Sequence, residues 1–556
     1  MGNHSTEHKE PWQAIAVRKR AEREAKIPSE WQFPPSLFPG PDVLDVSSFP
    51  RDSGLLSQHE LELTDATASK IVVNIATGVW TSEKVTRAVC KRAVIAQRLV
   101  NCLTEICFDD AIERARALDD RLRIDGTTVG PLHGLPISLK DQFNVPGLDT
   151  TLGYIAKAGH PLKSESTLVD ILEQAGAIIY VKTSVPTTLM MGETINNVFG
   201  RTLNPYNLNL TPGGSSGGES ALIALGGSPL GVGTDIGGSI RHPCHCTGLY
   251  GLRPSHGRVS YQNVATTFVG QEAIRSVAGP MCRSPEDVRL FMKAVIEAKP
   301  WTQDPGCLPI PWRTEEEILP EKLCFGIAMS DGRVAPTPPL RRALEMTRRK
   351  LEETGHLVID FTPVESIESH EIIKHMFSAD GGEEFQRDTE ASGEPLPIGV
   401  EKWLGKTANA PRATAFETWQ NQRRRDLLAS TWHARWNATQ ASTGTARPID
   451  GLIMPTVVFP AAEHDAAYPS HYGTLSPVLD LTTGSFPVTQ VDLERDVVPT
   501  DWEPMSEEDR KVMETYKRPE KFMNSPIGLS IIGRRLEEEK VSAMLKVIGD
   551  VLACDE

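Results

Sequence analysis

Two glycine-rich segments near the middle of the chain place serines where they could act as nucleophiles. Residues 212–219 read PGGSSGGE and residues 233–241 read GTDIGGSIR. Twelve of the chain's 44 glycines lie in residues 213–251. Glycine is expected where the backbone adopts positive φ or approaches a ligand closely. This composition therefore predicts loops that hold a binding or reaction site.

The second segment suits acyl transfer, which needs an activated hydroxyl and N–H donors for the oxyanion that develops. Consecutive backbone N–H groups around paired glycines can wrap around an anion. The donors predicted here are those of Ile236, Gly237, Gly238 and Ser239. Ser239 is the predicted nucleophile. The supporting residues predicted around the two serine clusters are Ser216, Thr234, Asp235 and Arg241.

A base for this serine is found in a different part of the sequence. Lys140 follows the apolar run GLPISL at residues 134–139. Burial disfavours a charged amine, and lowering its pKa from about 10.4 to near 7 is within what a buried site imposes. Lys140 is therefore a candidate base, although a lysine at the end of a strand is also commonly a solvated terminus.

The first serine cluster allows a different nucleophile. Residues 213–217 fit the G-x-S-x-G elbow of α/β-hydrolases, which would make Ser215 the nucleophile and require a later histidine such as His464 or His471. The elbow also needs a strand directly before the serine, whereas residues 204–212 read as a loop. This alternative is therefore disfavoured.

Two further clusters invite a chemical interpretation. Residues 242–246, HPCHC, contain zinc-type ligands, but the cluster lacks a second pair at zinc-finger distance, so packing behind Ser239 is expected instead. Asp141 and Glu193 are candidates for paired acid–base carboxylates. Nothing in the sequence fixes their separation, and structural roles are expected.

The segments that would position these residues alternate between short apolar runs and helical patterns, which is typical of α/β architecture. Residues 11–26 predict a helix, and a Pro-rich connector follows, so residues 1–58 are predicted to form an N-terminal arm. Residues 59–124 predict helices. Strands are predicted within residues 135–139, 177–183, 322–329, 356–361, 449–456 and 526–535, and helices within 166–176, 338–355 and 536–552.

One domain is predicted over residues 59–556, with two inserts. Residues 380–447 are polar and helical in pattern, and their predicted packing anchors are Trp403, Trp419, Trp432 and Trp436. Residues 492–520 carry many acids between prolines and predict a surface insertion.

Composition excludes several classes of protein. The chain has 58 basic and 73 acidic residues, a net charge of −15, which disfavours nucleic acid and anionic membranes as partners. No uncharged stretch long enough for a transmembrane helix is visible. Nine cysteines without paired spacing predict reduced thiols and a cytoplasmic location.

Three motifs together resemble the amidase signature family. They are residues 134–141 (GLPISLKD), residues 213–218 (GGSSGG) and residues 233–241 (GTDIGGSIR), and their spacing also agrees with the family. DGG at residues 380–382 and DGLIMP at residues 450–455 are similar to the fungal acetamidase-type branch.

The resemblance implies an α/β fold with a large, mixed, twisted sheet covered by helices on both faces. It also implies a Ser–Ser–Lys triad, in which Ser239 attacks, Ser215 relays protons next to a cis peptide bond, and Lys140 is the base. Leu189 and Met190 would line the acyl pocket.

The implied activity is hydrolysis of a small-molecule carboxamide through an acyl-enzyme, without a cofactor or metal. Ester or carbamate hydrolysis by the same chemistry, or a non-catalytic role in a larger complex, remain alternatives. A homodimer is also left open.

Overall fold

A large sheet forms the centre of the computed structural model, which describes residues 10–40, 42–396, 399, 411–466 and 471–553. The strands are β1 Leu103–Ile106, β2 Pro136–Lys140, β3 Ile178–Thr183, β4 Ile195–Asn196, β5 Gly200–Arg201, β6 Leu230–Asp235, β7 Tyr250–Arg253, β8 Val277–Cys282, β9 Cys324–Ile327, β10 Leu357–Asp360, β11 Gly451–Met454, β12 Thr483–Gln490 and β13 Pro526–Ile532. Eleven of these strands form one sheet in the order β1-β3-β2-β6-β8-β7-β12-β13-β11-β9-β10, and β4 pairs with β5.

The sheet is mixed. Strand β2 lies between β3 and β6 and runs parallel to both, whereas β6 and β8 are antiparallel. The adjacent strands β2 and β6 therefore end at the same edge of the sheet. Lys140 is the last residue of β2, and the loop that carries Ser239 follows β6.

Helices surround the sheet. They are α1 Trp12–Ala25, α2 Phe49–Asp52, α3 Gln58–Asp65, α4 Ala68–Ala76, α5 Ser82–Val100, α6 Phe108–Asp125, α7 Thr167–Gln174, α8 Gly217–Ala224, α9 Arg241–Thr247, α10 Pro285–Glu297, α11 Pro338–Glu353, α12 Glu365–Phe377, α13 Glu383–Glu390, α14 Ala415–Ala438, α15 His471–Leu479, α16 Glu507–Tyr516 and α17 Glu538–Ala553. Short 3₁₀ helices occupy Ser29–Trp31, Pro35–Leu37, Ile155–Lys157, Pro300–Thr302, Thr314–Glu317, Thr439–Ala441 and Pro519–Phe522.

Neighbouring residues of the strands pack into two different cores. Ile453 of β11 belongs to a first core with α11 and α17, whereas Leu452 belongs to a second core with α12 and α14. Ile531 and Ile532 of β13 divide in the same way. Since successive side chains of a strand point to opposite faces, the two cores cover opposite faces of the sheet. This confirms the predicted α/β class with helices on both faces.

The elements predicted from periodicity are present, but the periodicity does not predict five strands of the large sheet, namely β1, β6, β7, β8 and β12. All six predicted strands and all three helices listed with them are found. Residues 59–124 form helices α3 to α6 joined by short turns, with the exception of β1, a four-residue strand that pairs with β3 at the edge of the sheet. A strand this short is too brief to show an alternating pattern between two long helices, α5 and α6.

Helix α1 packs against the body of the protein through a buried ion-pair cluster. Lys19 is only 7% exposed and pairs with Asp149 at 2.6 Å and with Glu105. Ala16 of the same helix packs in an apolar cluster with Ile155 and Phe199. The predicted division between arm and body stays a prediction, but α1 is firmly anchored.

Replacing Lys19 with methionine should destabilise the protein. The substitution leaves the carboxylates of Glu105 and Asp149 buried with less compensation, although Lys26 remains 3.4 Å from Glu105. We expect a loss of about 3 kcal/mol in the free energy of unfolding, measured by urea denaturation. The control is Arg18→Met, which breaks an exposed pair with Glu10 and should cost less than about 1 kcal/mol. Equal effects of both substitutions would contradict this assignment.

The two predicted inserts differ from expectation in detail. Trp432 and Trp436 are buried anchors with ring centroids 5.7 Å apart, but Trp419 is 63% exposed, and Trp403 lies outside the described residues. Residues 492–520 are more than a surface insertion. Tyr516 is fully buried, and Asp496 pairs with Arg342 at 2.7 Å.

Two observations concern the environment of the protein. Among the described residues, no helix combines the length and apolar character needed to cross a bilayer. The cysteines that the structure describes are all free thiols.

Candidate active site

Lys140 is fully buried at the end of β2. Its Nζ lies 2.8 Å from Ser215 Oγ and 2.7 Å from Thr234 Oγ1. Burial lowers the pKa of Lys140 from its ordinary value to about 7, and the charges of Asp235 and Glu219 oppose this shift only in part. Near neutral pH a large fraction of Lys140 is therefore an uncharged amine that can accept a proton.

Ser215 lies in the loop that leads into α8. It is 2% exposed, and the peptide bond between Gly214 and Ser215 is cis. A Cβ on Gly214 would lie 2.3 Å from the carbonyl oxygen of Met191, so only glycine fits this close approach. The glycine-rich segment thus brings Ser215 against a neighbouring loop and over Lys140.

Ser239 lies in a turn between β6 and α9 that is fixed by a buried carboxylate. Asp235 accepts hydrogen bonds from the N–H groups of Gly238 at 2.9 Å and Ile240 at 3.1 Å. It also forms a bidentate pair with Arg241 at 3.1 Å. Asp235 and Arg241 are at most 1% exposed. The pair is therefore buried and braces the turn.

This bracing changes the predicted set of oxyanion donors. The Gly238 N–H already donates to Asp235 Oδ1, so the structure does not offer it to a substrate. Gly238 adopts φ of +124°, a backbone conformation that favours glycine at this turn. Within the described residues, the N–H groups of Ile236, Gly237 and Ser239 have no hydrogen-bond acceptor. Three of the four predicted donors are thus free.

Asp235 is expected to be essential for the stability of this turn. Asp235→Ala leaves the buried Arg241 guanidinium without its anionic partner, with only the Gly473 carbonyl as acceptor at 2.9 Å, and leaves two N–H groups without an acceptor, at a cost of about 3–5 kcal/mol in unfolding free energy. Thermal and urea denaturation measure this loss. Asp120→Ala, which removes an exposed partner of Arg123, is the matched control. Unchanged stability with lost activity would show that Asp235 does not act as a brace.

Thr234 connects Lys140 to a residue that the sequence analysis did not identify. Thr234 Oγ1 donates to Gln142 Oε1 at 2.5 Å while it accepts from Lys140. Ser216 Oγ contacts the backbone N–H and C=O of Thr234 at 3.4 Å. Gln142 stands two residues after Lys140, in the turn that follows β2. This proximity to Lys140 is the only sequence signal that points to Gln142.

Glu219 of α8 is a second residue that sequence reasoning missed. It is fully buried and accepts hydrogen bonds from Ser138 at 2.5 Å and Thr183 at 2.8 Å. Burial raises the pKa of Glu219 to about 7. Its charge therefore changes in the same pH range as that of Lys140.

Ser215 and Ser239 line the same small cleft. A direct hydrogen bond between their hydroxyl groups is absent among the described residues. The walls of the cleft include Leu189 and Met190, together with Ile236 and the polar side chains of Gln142, Thr234, Thr266, Thr267 and Ser276. Lys140 lies behind Ser215. The three residues predicted from distant motifs therefore meet at one place.

The site residues of an α/β-hydrolase are not assembled around Ser215. His464 contacts Glu193 at 2.8 Å and the carbonyl of Leu208 at 3.0 Å, and His471 contacts Glu508. Neither histidine is among the described residues of the cleft. Strand β5 ends at Arg201, well before Ser215, so the required strand is also missing in the described chain.

The remaining candidate clusters have structural contacts. His245 bonds the backbone oxygens of Gly528 and Phe459 through its two ring nitrogens. Among the described residues, no group of three or more His, Cys, Asp or Glu side chains is arranged to hold a metal ion. Asp141 caps the backbone N–H groups of Thr151 and Leu152. Glu193 binds His464, so the two carboxylates belong to separate clusters.

Comparison with known proteins agrees with this geometry. The family model described as Amidase matches residues 84–541. "Putative amidase kk1C" of Curvularia clavata is 58% identical over 544 residues, covering 98% of this chain and 99% of that protein. An acetamidase of Aspergillus oryzae is 40% identical over 547 residues, covering 97% and 99%. The resemblance to fungal acetamidases is thus confirmed.

A solved structure supports the fold assignment. A fatty acid amide hydrolase superimposes with a TM-score of 0.92 at 33% identity, covering 98% of this chain and 95% of that chain. The expected fold is therefore confirmed across nearly the whole chain. Together with the match to the family model, it shows that the chain belongs to the amidase signature family, whose enzymes hydrolyse the carbon–nitrogen bond of amides.

Proposed function

We propose that this amidase is a serine hydrolase that cleaves a carboxamide to a carboxylic acid and ammonia or an amine through an acyl-enzyme on Ser239. The observation that carries the proposal is the 2.8 Å contact between the buried Lys140 Nζ and Ser215 Oγ, in a cleft that Ser239 also lines. This arrangement supplies a neutral base, a hydroxyl that can relay protons, and a half-buried nucleophile.

The first half of the reaction uses Lys140 as the base. Uncharged Lys140 takes the proton of Ser215 as Ser215 takes the proton of Ser239, and Ser239 Oγ forms a bond to the carbonyl carbon. The free N–H groups of Ile236, Gly237 and Ser239 stabilise the resulting oxyanion. Ser215 then gives a proton to the departing nitrogen as the C–N bond breaks, and Lys140 returns its proton to Ser215 and becomes neutral again.

Water completes the cycle. A water molecule attacks the acyl carbon and gives its proton to the same Ser215–Lys140 pair, and Ser239 leaves as the hydroxyl. Every step uses side chains and N–H groups of this chain, so the proposal requires no cofactor.

The walls of the cleft suggest an uncharged substrate. Leu189 and Met190 are proposed to contact the acyl group, and Met190 belongs to an apolar cluster with Phe268, Phe377 and Phe385. The described residues that line the cleft include no Asp, Glu, Lys or Arg. A charged substrate would lose hydration there without gaining an ion pair.

The test is turnover by the purified single chain. We expect release of ammonia and the matching acid from acetamide, propionamide, phenylacetamide or hexanamide, with no release by Ser239→Ala. Parallel assays with the corresponding ethyl esters and carbamates decide between amidase and esterase or carbamate hydrolase. Absence of turnover of every compound by the wild-type chain would favour a non-catalytic subunit and contradict the proposal.

Location and assembly are proposed on more general grounds. The free thiols of the described cysteines suit a reducing compartment, which supports a cytoplasmic location. Homodimer formation stays a prediction that the oligomeric state in solution would test.

A further inference from the structure

We propose that Gln142 is a positioning residue that sets the direction of the hydrogen bonds around Lys140. In this arrangement the lone pair of neutral Lys140 faces Ser215. The inference rests on the proposed function, because it concerns how the base is kept ready for the Ser239–Ser215 proton relay.

The orientation of the Gln142 side-chain amide is fixed by its partners. Gln142 Nε2 donates to the backbone oxygen of Ala265 at 2.8 Å and to Tyr261 Oη at 3.2 Å. A backbone carbonyl can only accept, so the NH₂ group must face Ala265. The amide oxygen therefore faces Thr234. Gln142 is 1% exposed, and water has little access to compete for these bonds.

The amide oxygen in turn determines what Thr234 can do. A threonine hydroxyl has one proton and two lone pairs. Its proton points to Gln142 Oε1, which lies 2.5 Å away and cannot donate. Thr234 Oγ1 is consequently left as an acceptor on the side of Lys140, at 2.7 Å.

This direction matters because a neutral amine has two protons and a single lone pair. Lys140 donates one N–H to Thr234, which turns its lone pair away from Thr234. If Thr234 were free to donate, its proton could occupy that lone pair and block transfer from Ser215. Gln142 excludes this unproductive arrangement without contacting Lys140 itself.

The same contacts hold Gln142 in place. The backbone N–H of Ala265 donates to the Gln142 carbonyl at 3.0 Å, so the two residues are joined by two bonds. The next residues of that loop, Thr266 and Thr267, line the cleft. Because Gln142 also borders the cleft, direct contact with substrate is the competing role, and the test must separate the two.

A double-mutant cycle separates the positioning role of Gln142 from direct contact with the substrate. Gln142→Met preserves length but removes the amide, and Thr234→Val removes the hydroxyl on which Gln142 is proposed to act. We expect Gln142→Met to lower kcat about 10- to 100-fold with KM nearly unchanged. In the Thr234→Val background the same substitution should lower kcat less than about threefold, since the group it orients is already gone. Thr234→Ser should retain most of the activity.

The pH profile gives a readout that a general loss of structure would not. In Gln142→Met the Thr234 hydroxyl is free to donate to the neutral amine of Lys140, and this bond favours the neutral over the charged amine. The acid limb of the kcat profile of Gln142→Met should therefore move to lower pH. The plateau value of kcat should fall at the same time. A raised KM with unchanged kcat, additive effects in the cycle, or an acid limb at higher pH would each overturn the inference.

Failure of this inference is distinguishable from failure of the proposed function. If Ser239→Ala remains inactive but Gln142→Met behaves like the wild type, only the role of Gln142 is wrong. If Ser239→Ala retains activity, the proposed relay itself is wrong. Thermal unfolding of each variant shows whether the fold is preserved, and the comparison is made among variants that unfold within a few degrees of the wild type.

Discussion

Ser239→Ala should abolish amide hydrolysis almost completely. The substitution removes the atom that bonds to the acyl carbon, whereas Lys140, Ser215 and the free N–H groups stay in place. We expect kcat to fall on the order of 10⁴–10⁶-fold, the range seen when a serine nucleophile is removed. Initial rates of ammonia release under substrate saturation measure the effect.

The fold should be preserved in this variant. Ser239 is half-buried, and its hydroxyl has no hydrogen-bond partner among the described residues, so little stability depends on it. Ser430→Ala, which alters an exposed position on α14, is the control and should retain full activity. Residual activity of Ser239→Ala within tenfold of the wild type would contradict its role as the nucleophile.

Lys140→Met is expected to have the second largest effect. Methionine fills a similar volume but can neither accept a proton nor be charged, so Ser215 loses its base. We expect a decrease of about 10²–10⁴-fold in kcat, typical for loss of a general base. Measurement at pH 6, 7, 8 and 9 shows whether hydroxide partly replaces the missing base at high pH.

The pH dependence of kcat in the wild type also tests Lys140 as the base. Since the pKa of Lys140 is about 7, the uncharged form increases as pH rises through 7, and kcat should increase with it. Below that range Lys140 is protonated and activity should be lost. Glu219 titrates nearby, so Glu219→Gln is the matched control. If Glu219→Gln still loses activity at low pH, the acid limb belongs to Lys140. If the acid limb disappears in Glu219→Gln, this assignment is contradicted.

The residues proposed to carry the chemistry can be located in the sequence because short motifs hold them. Lys140 follows an apolar strand, and the serines lie in glycine-rich turns, so residue type and local context identify each one. Their meeting follows from topology, since β2 and β6 are adjacent and parallel. The sequence pattern alone predicts β2, but it predicts neither β6 nor the order of the strands.

Contacts between distant segments could not be predicted. The side-chain amide of Gln142 is oriented by the backbone oxygen of Ala265, which is 123 residues away, and neither residue belongs to a motif. The sequence predicts Gly238 as an oxyanion donor, whereas in the structure the Gly238 N–H donates a hydrogen bond to the Asp235 side chain. Lys19 has the local sequence of an exposed helix, yet two buried carboxylates bind it. In each case the decisive partner is set by tertiary packing.

The most direct test of the account is the position of a covalent adduct. The wild-type enzyme is incubated with a serine-directed fluorophosphonate, digested, and analysed by tandem mass spectrometry. We predict a single adduct on Ser239 that forms much more slowly in Lys140→Met. An adduct on Ser215, with Ser239 unmodified, would contradict the proposed mechanism.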